Sequence, residues 1–189
     1  MNELTKRLSS GVIGLILLVF ILIKGGNLLY FSLFILSIIG LREFYKAVEN
    51  IKVTPSYIIG YLGTTGIFLS SLIPNINLDL IFTIIVLALL IILVTQKKYT
   101  LKDISLTLFG IVYIPYLLFH IGYLDNSIYI YLIFIIAFGT DTFAYISGNM
   151  FGKKKLCPSI SPNKTVEGFI GGILGSVFLV ITYSLYFKI

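Results

Sequence analysis

Long apolar runs separated by short polar segments occupy most of the chain. Five of these runs hold 17 to 22 residues: Ser56–Ile73, Leu78–Val94, Ile104–Gly122, Ile128–Ser147 and Val166–Phe187. At a rise of about 1.5 Å per residue they reach about 26–33 Å, enough to cross a hydrocarbon core of about 30 Å. The pattern predicts five membrane-spanning helices, since a lipid interior accepts only helices and closed barrels.

Two shorter apolar runs near the N-terminus leave the number of crossings open. Val12–Ile23 and Leu28–Leu41 hold 12 and 14 residues, and the segment Lys24-Gly25-Gly26-Asn27 separates them. They are either two thin spans or one re-entrant hairpin, and both alternatives return the chain to the same side of the membrane. We therefore expect five to seven transmembrane helices in an all-α, polytopic membrane bundle.

The composition supports a membrane protein and excludes most other classes. Apolar residues make up 58% of the 189 residues, charged residues make up 12%, and the mean hydropathy is +1.03. A soluble domain carries about 25% charged residues, so a cytosolic enzyme and a disordered tail are excluded. The single cysteine excludes an internal disulfide and a cysteine metal cluster. The length fits one membrane domain over residues 1–189.

The placement of charge predicts the orientation in the membrane. Of the 14 Lys and Arg residues, 12 fall on one side of the predicted spans: Lys6, Arg7, Arg42, Lys46, Lys52, Lys97, Lys98, Lys102, Lys153, Lys154, Lys155 and Lys164. Cytoplasmic loops accumulate such residues, so we expect a multi-pass plasma-membrane protein, most simply bacterial, with a cytoplasmic N-terminus. Topology explains these cations, so no nucleic-acid binding is expected. His120 and Cys157 fall on opposite sides of the membrane, which excludes a Cys/His catalytic pair.

Asp141 lies well inside a predicted span, away from its ends, where a charge costs about 2.5–3.5 kcal/mol on insertion scales. Intramembrane charges usually face a polar cavity or bind a ligand. Asp141, Tyr145, Gly148 and Gly152 recur at steps of four, three and four residues, which places them on one helix face. A carboxylate there suits Mg²⁺, which prefers oxygen ligands and phosphate partners. The alternative is a structural ion pair with a lysine of a neighbouring helix.

A basic segment between the last two spans suits a phosphate-bearing ligand. Lys153, Lys154 and Lys155 alone are equally well explained as positive-inside charge or as a contact with anionic lipid. Ser161, however, predicts a helix N-cap with Pro162 at the first helical position. Such a helix start directs free backbone N–H groups and a positive dipole end at the preceding loop, which favours an anion.

The residues after Pro162 add to this predicted anion site. Lys164 and the hydroxyl of Thr165 supply further donors, and Asn163 belongs to the same segment. Glu167 either stabilises the helix N-terminus electrostatically or orients Lys164 or a metal-bound water. The sequence does not separate the electrostatic role from the orienting one.

Glycines in the last third of the chain predict close helix packing. Gly168 and Gly172 follow small-xxx-small spacing, as do Gly171 and Gly175. The run from Gly148 to Lys153 lacks the glycine spacing and the following Ser or Thr of a P-loop, so the packing interpretation is favoured there too. Glycine faces also permit helix pairing between two copies, and a homodimer is therefore an open alternative.

Three motifs occur in a fixed order within residues 138–175. The first is Asp141-Thr142-Phe143-Ala144-Tyr145, the second runs from Gly148 to Lys153, and the third runs from Ser161 to Gly168. The start of the chain adds a basic segment, a double hydrophobic hairpin and the element Glu43-Phe44-Tyr45. In these features the chain resembles the phosphatidate cytidylyltransferases (CDP-diacylglycerol synthases), from its first residues to about Gly175.

The resemblance implies a membrane nucleotidyltransferase of phospholipid biosynthesis that moves a cytidylyl group from CTP to phosphatidate. The products would be CDP-diacylglycerol and pyrophosphate, the cofactor Mg²⁺, and the partners CTP, phosphatidate and the lipid bilayer. It implies catalytic roles for Asp141, Lys164 and Glu167, with Asp141 also the metal ligand. The implied phosphate- and CTP-binding residues are Lys153, Lys154, Lys155, Ser161, Asn163 and Thr165.

The chain departs from the family pattern at its C-terminal end. Members usually continue with Lys-Arg, Lys-Asp, His-Gly-Gly and Asp-Arg elements, which do not occur before Ile189. We therefore expect a truncated form: an N-terminal hairpin and loop (1–52), central spans (53–125) and an incomplete catalytic region (126–189). A small membrane transporter and a non-catalytic remnant of the family are the alternatives.

Overall fold

Helices form nearly all of the chain in the computed structural model, which describes the backbone of residues 3–188 and the side chains of residues 9–188. The α-helices are α1 (Glu3–Lys24), α2 (Gly26–Glu49), α3 (Tyr57–Leu72), α4 (Leu78–Thr95), α5 (Leu101–Ile111), α6 (Leu117–Phe119), α7 (Tyr129–Phe151) and α8 (Val166–Phe187). A short antiparallel hairpin of β1 (Lys155–Cys157) and β2 (Ser161–Thr165) joins α7 to α8. The chain divides into two compact units, residues 1–126 and residues 127–189.

Five stretches are long and apolar enough to cross a membrane, which confirms an all-α polytopic bundle. They are α2, α4, the continuous stretch Leu101–Leu124, α7 and α8. The predicted span Ser56–Ile73 is not among them. Its helix, α3, has 16 residues and reaches about 24 Å, which is short for a crossing. The orientation prediction also used Lys6 and Arg7, whose side chains lie outside the described residues.

The N-terminal helices are longer than their apolar runs. Helix α2 holds 24 residues and continues past Leu41 through the charged residues Arg42, Glu43 and Lys46. This length is sufficient for α2 to cross a membrane, whereas the apolar part of α1, Ser9–Lys24, is as short as α3. The helices α1 and α2 are separated at Gly25, where φ is 56° and ψ is −153°. Glycine adopts this conformation without a steric penalty.

The break between α1 and α2 is held by the end of the 101–124 stretch. The backbone N–H of Gly26 donates to Oδ2 of Asp125 at 2.7 Å. The hydroxyl of Tyr30 donates to the carbonyl of Gly122 at 3.0 Å. A Cβ added to Gly25 would meet the Asp125 carboxylate, so both the close approach and the positive φ require glycine there.

The stretch from Leu101 to Leu124 is a helix with an interrupted hydrogen-bond pattern. A π-helical turn, Val112–Tyr116, follows α5 and contains the buried Pro115, and a 3-10 segment, His120–Leu124, follows α6. Proline lacks an N–H and displaces the preceding carbonyl, and a π-turn accommodates both effects. A capping box between Thr100 and Asp103 starts the stretch. Its first helical residue, Leu101, precedes the predicted start at Ile104 by three residues.

A polar junction fixes the loop between α2 and α3 to α5. The fully buried Tyr45 donates its hydroxyl proton to the carbonyl of Thr107 at 2.9 Å. The backbone N–H of Ser56 donates to Oγ1 of Thr107 at 2.9 Å. Asp103 is buried and accepts from the N–H of Thr54 at 2.6 Å. These bonds satisfy the polar groups that the loop would otherwise bury unpaired.

The second unit is built on a seam of small residues between α7 and α8. A Cβ added to Gly172 would lie 3.0 Å from the Thr140 carbonyl oxygen and 3.1 Å from Cβ of Ala144. Added Cβ atoms on Gly171 and Gly175 would collide with α7 as well. The predicted packing role of these glycines is confirmed, because only a missing side chain allows the two backbones to approach this closely.

Candidate functional site

The segment from Ser161 to Thr165 is a strand rather than the first turn of a helix. The prediction of Ser161 as N-cap with Pro162 at the first helical position is therefore wrong. Helix α8 begins at Val166, and its N-cap is Thr165, whose Oγ1 accepts from the N–H of Gly168 at 3.1 Å. Both residue types are good N-caps, and the strand pairing decides which of them is used.

Strand pairing gives the connection between α7 and α8 a defined shape, which we call the basic hairpin (residues 152–165). Lys155 pairs with Thr165 and Cys157 pairs with Ser161, with an irregularity in the register between them. The N–H of Ile160 donates to the carbonyl of Cys157 at 3.1 Å, which closes the turn. The predicted anion site is therefore formed by a hairpin and its lysines, with the helix start at its base.

The lysines of the basic hairpin are exposed and form no close ion pair among the described side chains. Lys153, Lys154, Lys155 and Lys164 are all exposed, and so is Asn163. Among the described side chains an ion pair joins Lys46 to Glu43, and none joins a lysine of the hairpin to a carboxylate. Four ammonium groups within twelve residues make this surface strongly attractive to a polyanion.

Glu167 lies in the first turn of α8 and contacts the start of the basic hairpin. Its Oε2 accepts the backbone N–H of Lys153 at 3.1 Å. Both of its oxygens lie 3.3 Å from the backbone nitrogen of Lys154. The predicted contact between Glu167 and Lys164 is not among the hydrogen bonds and ion pairs of the described residues. Sequence reasoning missed these backbone contacts, because they depend on how the hairpin folds back.

The glycines at the base of the hairpin lie against Thr165. A Cβ on Gly148 would lie 3.0 Å from Oγ1 of Thr165. A Cβ on Gly152 would meet the carbonyl oxygen of Gly148 and lie 2.8 Å from Cγ2 of Thr165. Tyr145, which the spacing placed on the same helix face, is 74% exposed. Of the residues predicted to share one face of α7, Gly148 and Gly152 are therefore packed against Thr165, whereas Tyr145 is exposed.

Asp141 lies away from the basic hairpin in the second unit. It precedes Phe151, the last residue of α7, by ten residues, or about 15 Å along the helix axis. Its side chain is exposed, and no hydrogen bond or ion pair of the described residues reaches it. The alternative of a structural ion pair with a neighbouring lysine therefore has no support among the described residues.

The described residues do not form a metal cage made by protein alone. They contain no group of three or more His, Cys, Asp or Glu side chains able to hold a metal ion. In the second unit the carboxylates are Asp141 and Glu167, and Glu167 already accepts backbone N–H groups. A divalent ion at such a donor set would be bound mainly through substrate phosphates.

The first unit holds a cavity of about 450 Å³ that the predicted site does not include. Tyr30, Ser70, Asn75 and His120 are among its lining residues. Nδ1 of His120 lies 2.7 Å from the carbonyl oxygen of Tyr116, and this hydrogen bond anchors the ring to its own helix. No acidic or basic side chain is among the described lining residues apart from this histidine.

Comparisons with known proteins give cytidylyltransferase matches over almost the entire chain. A family model described as "Cytidylyltransferase family" matches residues 5–189. A phosphatidate cytidylyltransferase of Staphylococcus haemolyticus (strain JCSC1435) is 30% identical over 181 residues, covering 93% of this chain and 70% of the relative. One of Staphylococcus aureus (strain COL) is 32% identical over 190 residues, covering 96% and 72%. No solved structure matches the chain.

Proposed function

The chain belongs to the cytidylyltransferase family, and from that premise we propose that it transfers the cytidylyl group of CTP to phosphatidate. The products are CDP-diacylglycerol and pyrophosphate, and the protein is a membrane nucleotidyltransferase. The names of the bacterial relatives support this reaction. The structural observation that carries the proposal is the basic hairpin, whose four exposed lysines form no close ion pair among the described side chains.

A reaction between a soluble nucleotide and a bilayer lipid requires a site at the membrane surface. The basic hairpin joins α7 and α8, which hold 23 and 22 residues and are both apolar enough to cross a membrane. The hairpin therefore belongs at the end of two crossings, where the lipid phosphate and CTP can meet. The excess of lysine there favours the cytoplasmic surface, the side that contains CTP.

The reaction itself needs no covalent intermediate on the protein. An oxygen of the phosphatidate phosphate attacks the α-phosphorus of CTP and forms a new P–O bond. The bond between the α- and β-phosphates breaks, and its electron pair leaves with pyrophosphate. The protein has to hold the two phosphates in line and offset the charge that develops on the leaving group.

The residues of the basic hairpin suit these two tasks. We assign the charge of the departing pyrophosphate to Lys164, whereas Lys153, Lys154 and Lys155 bind the triphosphate of CTP. Ser161, Asn163 and Thr165 supply hydroxyl and amide groups on the strand that carries Lys164. The hydroxyl of Thr165 accepts a bond from Gly168, and its own proton is available to a ligand.

We propose Mg²⁺ as the cofactor and Asp141 as its protein ligand. When bound, the ion would polarise the triphosphate oxygens and neutralise part of their charge. Asp141 suits this role because it is an exposed carboxylate with no partner among the described residues. Since it lies about 15 Å along α7 from the end of the helix, this role requires the triphosphate to extend from the hairpin lysines along α7.

The first experiment measures transfer of label from CTP to lipid by the full chain in phosphatidate-containing vesicles. The wild type is expected to form CDP-diacylglycerol and an equal amount of pyrophosphate. Lys164→Ala should lower the rate by about 100-fold or more, because a charged group that stabilises the leaving phosphates is lost. Membrane insertion should not change, because Lys164 is exposed.

The matched control is Lys97→Ala, which removes an exposed lysine from the loop between α4 and α5. It is expected to keep the wild-type rate. Failure of the wild type to label lipid would contradict the proposed reaction. A normal rate in Lys164→Ala would contradict the role given to the hairpin.

A further inference from the structure

The carboxylate of Glu167 is engaged by backbone rather than by lysine. Its oxygens accept the N–H of Lys153 at 3.1 Å and contact that of Lys154 at 3.3 Å. Four lysines surround this segment, yet among the described side chains none forms an ion pair with Glu167. These two backbone N–H groups account for every hydrogen bond of the Glu167 carboxylate to another residue among the described residues.

These bonds hold the chain where it leaves α7. The last turn of α7 ends with the N–H of Gly152 donating to the carbonyl of Gly148 at 3.1 Å. The next two N–H groups, of Lys153 and Lys154, have no partner within the helix. They donate instead to the carboxylate oxygens of Glu167. The carbonyl of Lys154 in turn accepts from the N–H of Val166 at 2.9 Å. Three backbone groups of Lys153 and Lys154 are therefore hydrogen-bonded to the first turn of α8.

The position of Glu167 on its helix suits this role. It is the second residue of α8 after the N-cap Thr165, where a negative charge is stabilised by the helix dipole. The lysine ammonium groups extend from a backbone that this carboxylate holds, and none of them pairs with a described carboxylate. The bonds therefore fix the backbone that carries Lys153 and Lys154, and the Glu167 charge acts on the Lys154 ammonium group without forming a close ion pair.

We propose that Glu167 is a positioning residue for CTP, which holds the backbone of Lys153 and Lys154 so that their ammonium groups meet the triphosphate together. This inference rests on the proposed function. It replaces the catalytic role that the sequence suggested for Glu167. A residue in this role acts on nucleotide binding through the lysines and exchanges no proton with the substrate.

The test compares Glu167→Ala with Glu167→Gln in the full chain. The glutamine carbonyl oxygen still accepts a backbone N–H, whereas alanine removes both bonds. Glu167→Ala should raise KM for CTP by about tenfold, as expected for losing two charge-assisted bonds, while kcat stays within about threefold of the wild type. Glu167→Gln should restore KM to within about threefold and leave the pH dependence of kcat unchanged.

The matched control is Asp79→Asn. Asp79 is also the second residue of its helix after an N-cap, and its carboxylate accepts no hydrogen bond among the described residues. It should leave both kinetic constants unchanged. If Glu167→Gln instead slowed turnover by about 100-fold or more and left KM unchanged, the proposal would be overturned, because that pattern is typical of an acid, base or metal ligand.

A second measurement does not depend on turnover. Hydrogen exchange followed by mass spectrometry on the peptide containing Lys153 and Lys154 should show two slow amides in the wild type. They should become fast in Glu167→Ala and stay partly protected in Glu167→Gln. Unchanged exchange in Glu167→Ala would overturn the inference. Absence of turnover in the wild type would contradict the proposed reaction alone, because the exchange rates test the backbone bonds directly.

Discussion

At the scale of single residues, Thr165 links several parts of the second unit. Its Oγ1 accepts the N–H of Gly168 and so begins α8. Its backbone pairs with Lys155 in the hairpin, and its side chain lies against Gly148 and Gly152 at the end of α7. The hydroxyl of Thr165 therefore caps the start of α8, and its side chain contacts the two glycines at the end of α7.

Thr165→Val tests the capping role because it keeps the shape of the side chain and removes the hydroxyl. The loss of an N-cap costs about 1 kcal/mol, so we expect a lower thermal unfolding temperature in detergent. Thr165→Ser keeps the acceptor and should unfold close to the wild-type temperature. Equal unfolding temperatures for the valine variant and the wild type would exclude the capping role.

The residues of the candidate site show where sequence reasoning is sufficient and where it is not. The exposure of Lys153 and Lys164 was predictable, because a lysine beside a membrane span stays in water. The N-cap was assigned to Ser161 because Ser-Pro is a strong local signal for a helix start. Pairing of that segment with Lys155–Cys157 is a contact between strands, and a local signal does not report it.

At the scale of elements, the apolar runs predicted the helices well. The bounds of α8, Val166–Phe187, coincide with the predicted run, and α4 ends one residue beyond it. Helix ends that carry charge were less predictable. Helix α2 continues for eight residues after Leu41, because the buried Leu41, Tyr45 and Val48 recur at steps of four and three on one face, and its charged residues are exposed.

The packing of α7 on α8 depends on glycine at the seam. Gly172→Leu would force a side chain against the Thr140 carbonyl oxygen and Ala144. Overpacking of this kind typically costs about 1–3 kcal/mol, so we expect a lower unfolding temperature and a lower rate of cytidylyl transfer.

Gly14→Leu is the control for this substitution. A Cβ at Gly14 in α1 would meet nothing within 4 Å, so both properties should stay close to those of the wild type. If Gly172→Leu matched Gly14→Leu in both measurements, close packing at the seam would not be required.

At the scale of the whole molecule, the distribution of charge connects the fold to the function. Two candidate spans, Leu101–Leu124 and α7, separate Lys97, Lys98 and Lys102 from the four lysines of the basic hairpin, so these seven fall on one predicted side. An enzyme that joins a cytosolic nucleotide to a membrane lipid needs its phosphate-binding residues on that side. The central claim of the account is therefore that the basic hairpin faces the cytoplasm and binds CTP.

The chain contains one cysteine, Cys157, and it lies within the basic hairpin. Its thiol is half-buried, so Ser159→Cys in a Cys157→Ser background gives a second and fully exposed reporter nearby. Asn75→Cys in the same background is the control for the opposite side, because Asn75 is exposed in the loop between α3 and α4.

The most direct measurement is labelling of these cysteines by a membrane-impermeant maleimide. In intact cells the account predicts labelling of the Asn75→Cys control and none at residues 157 and 159. In inside-out vesicles residue 159 should react, and saturating CTP should slow that reaction severalfold. Labelling of residue 157 or 159 in intact cells, or a rate that CTP does not change, would contradict the claim.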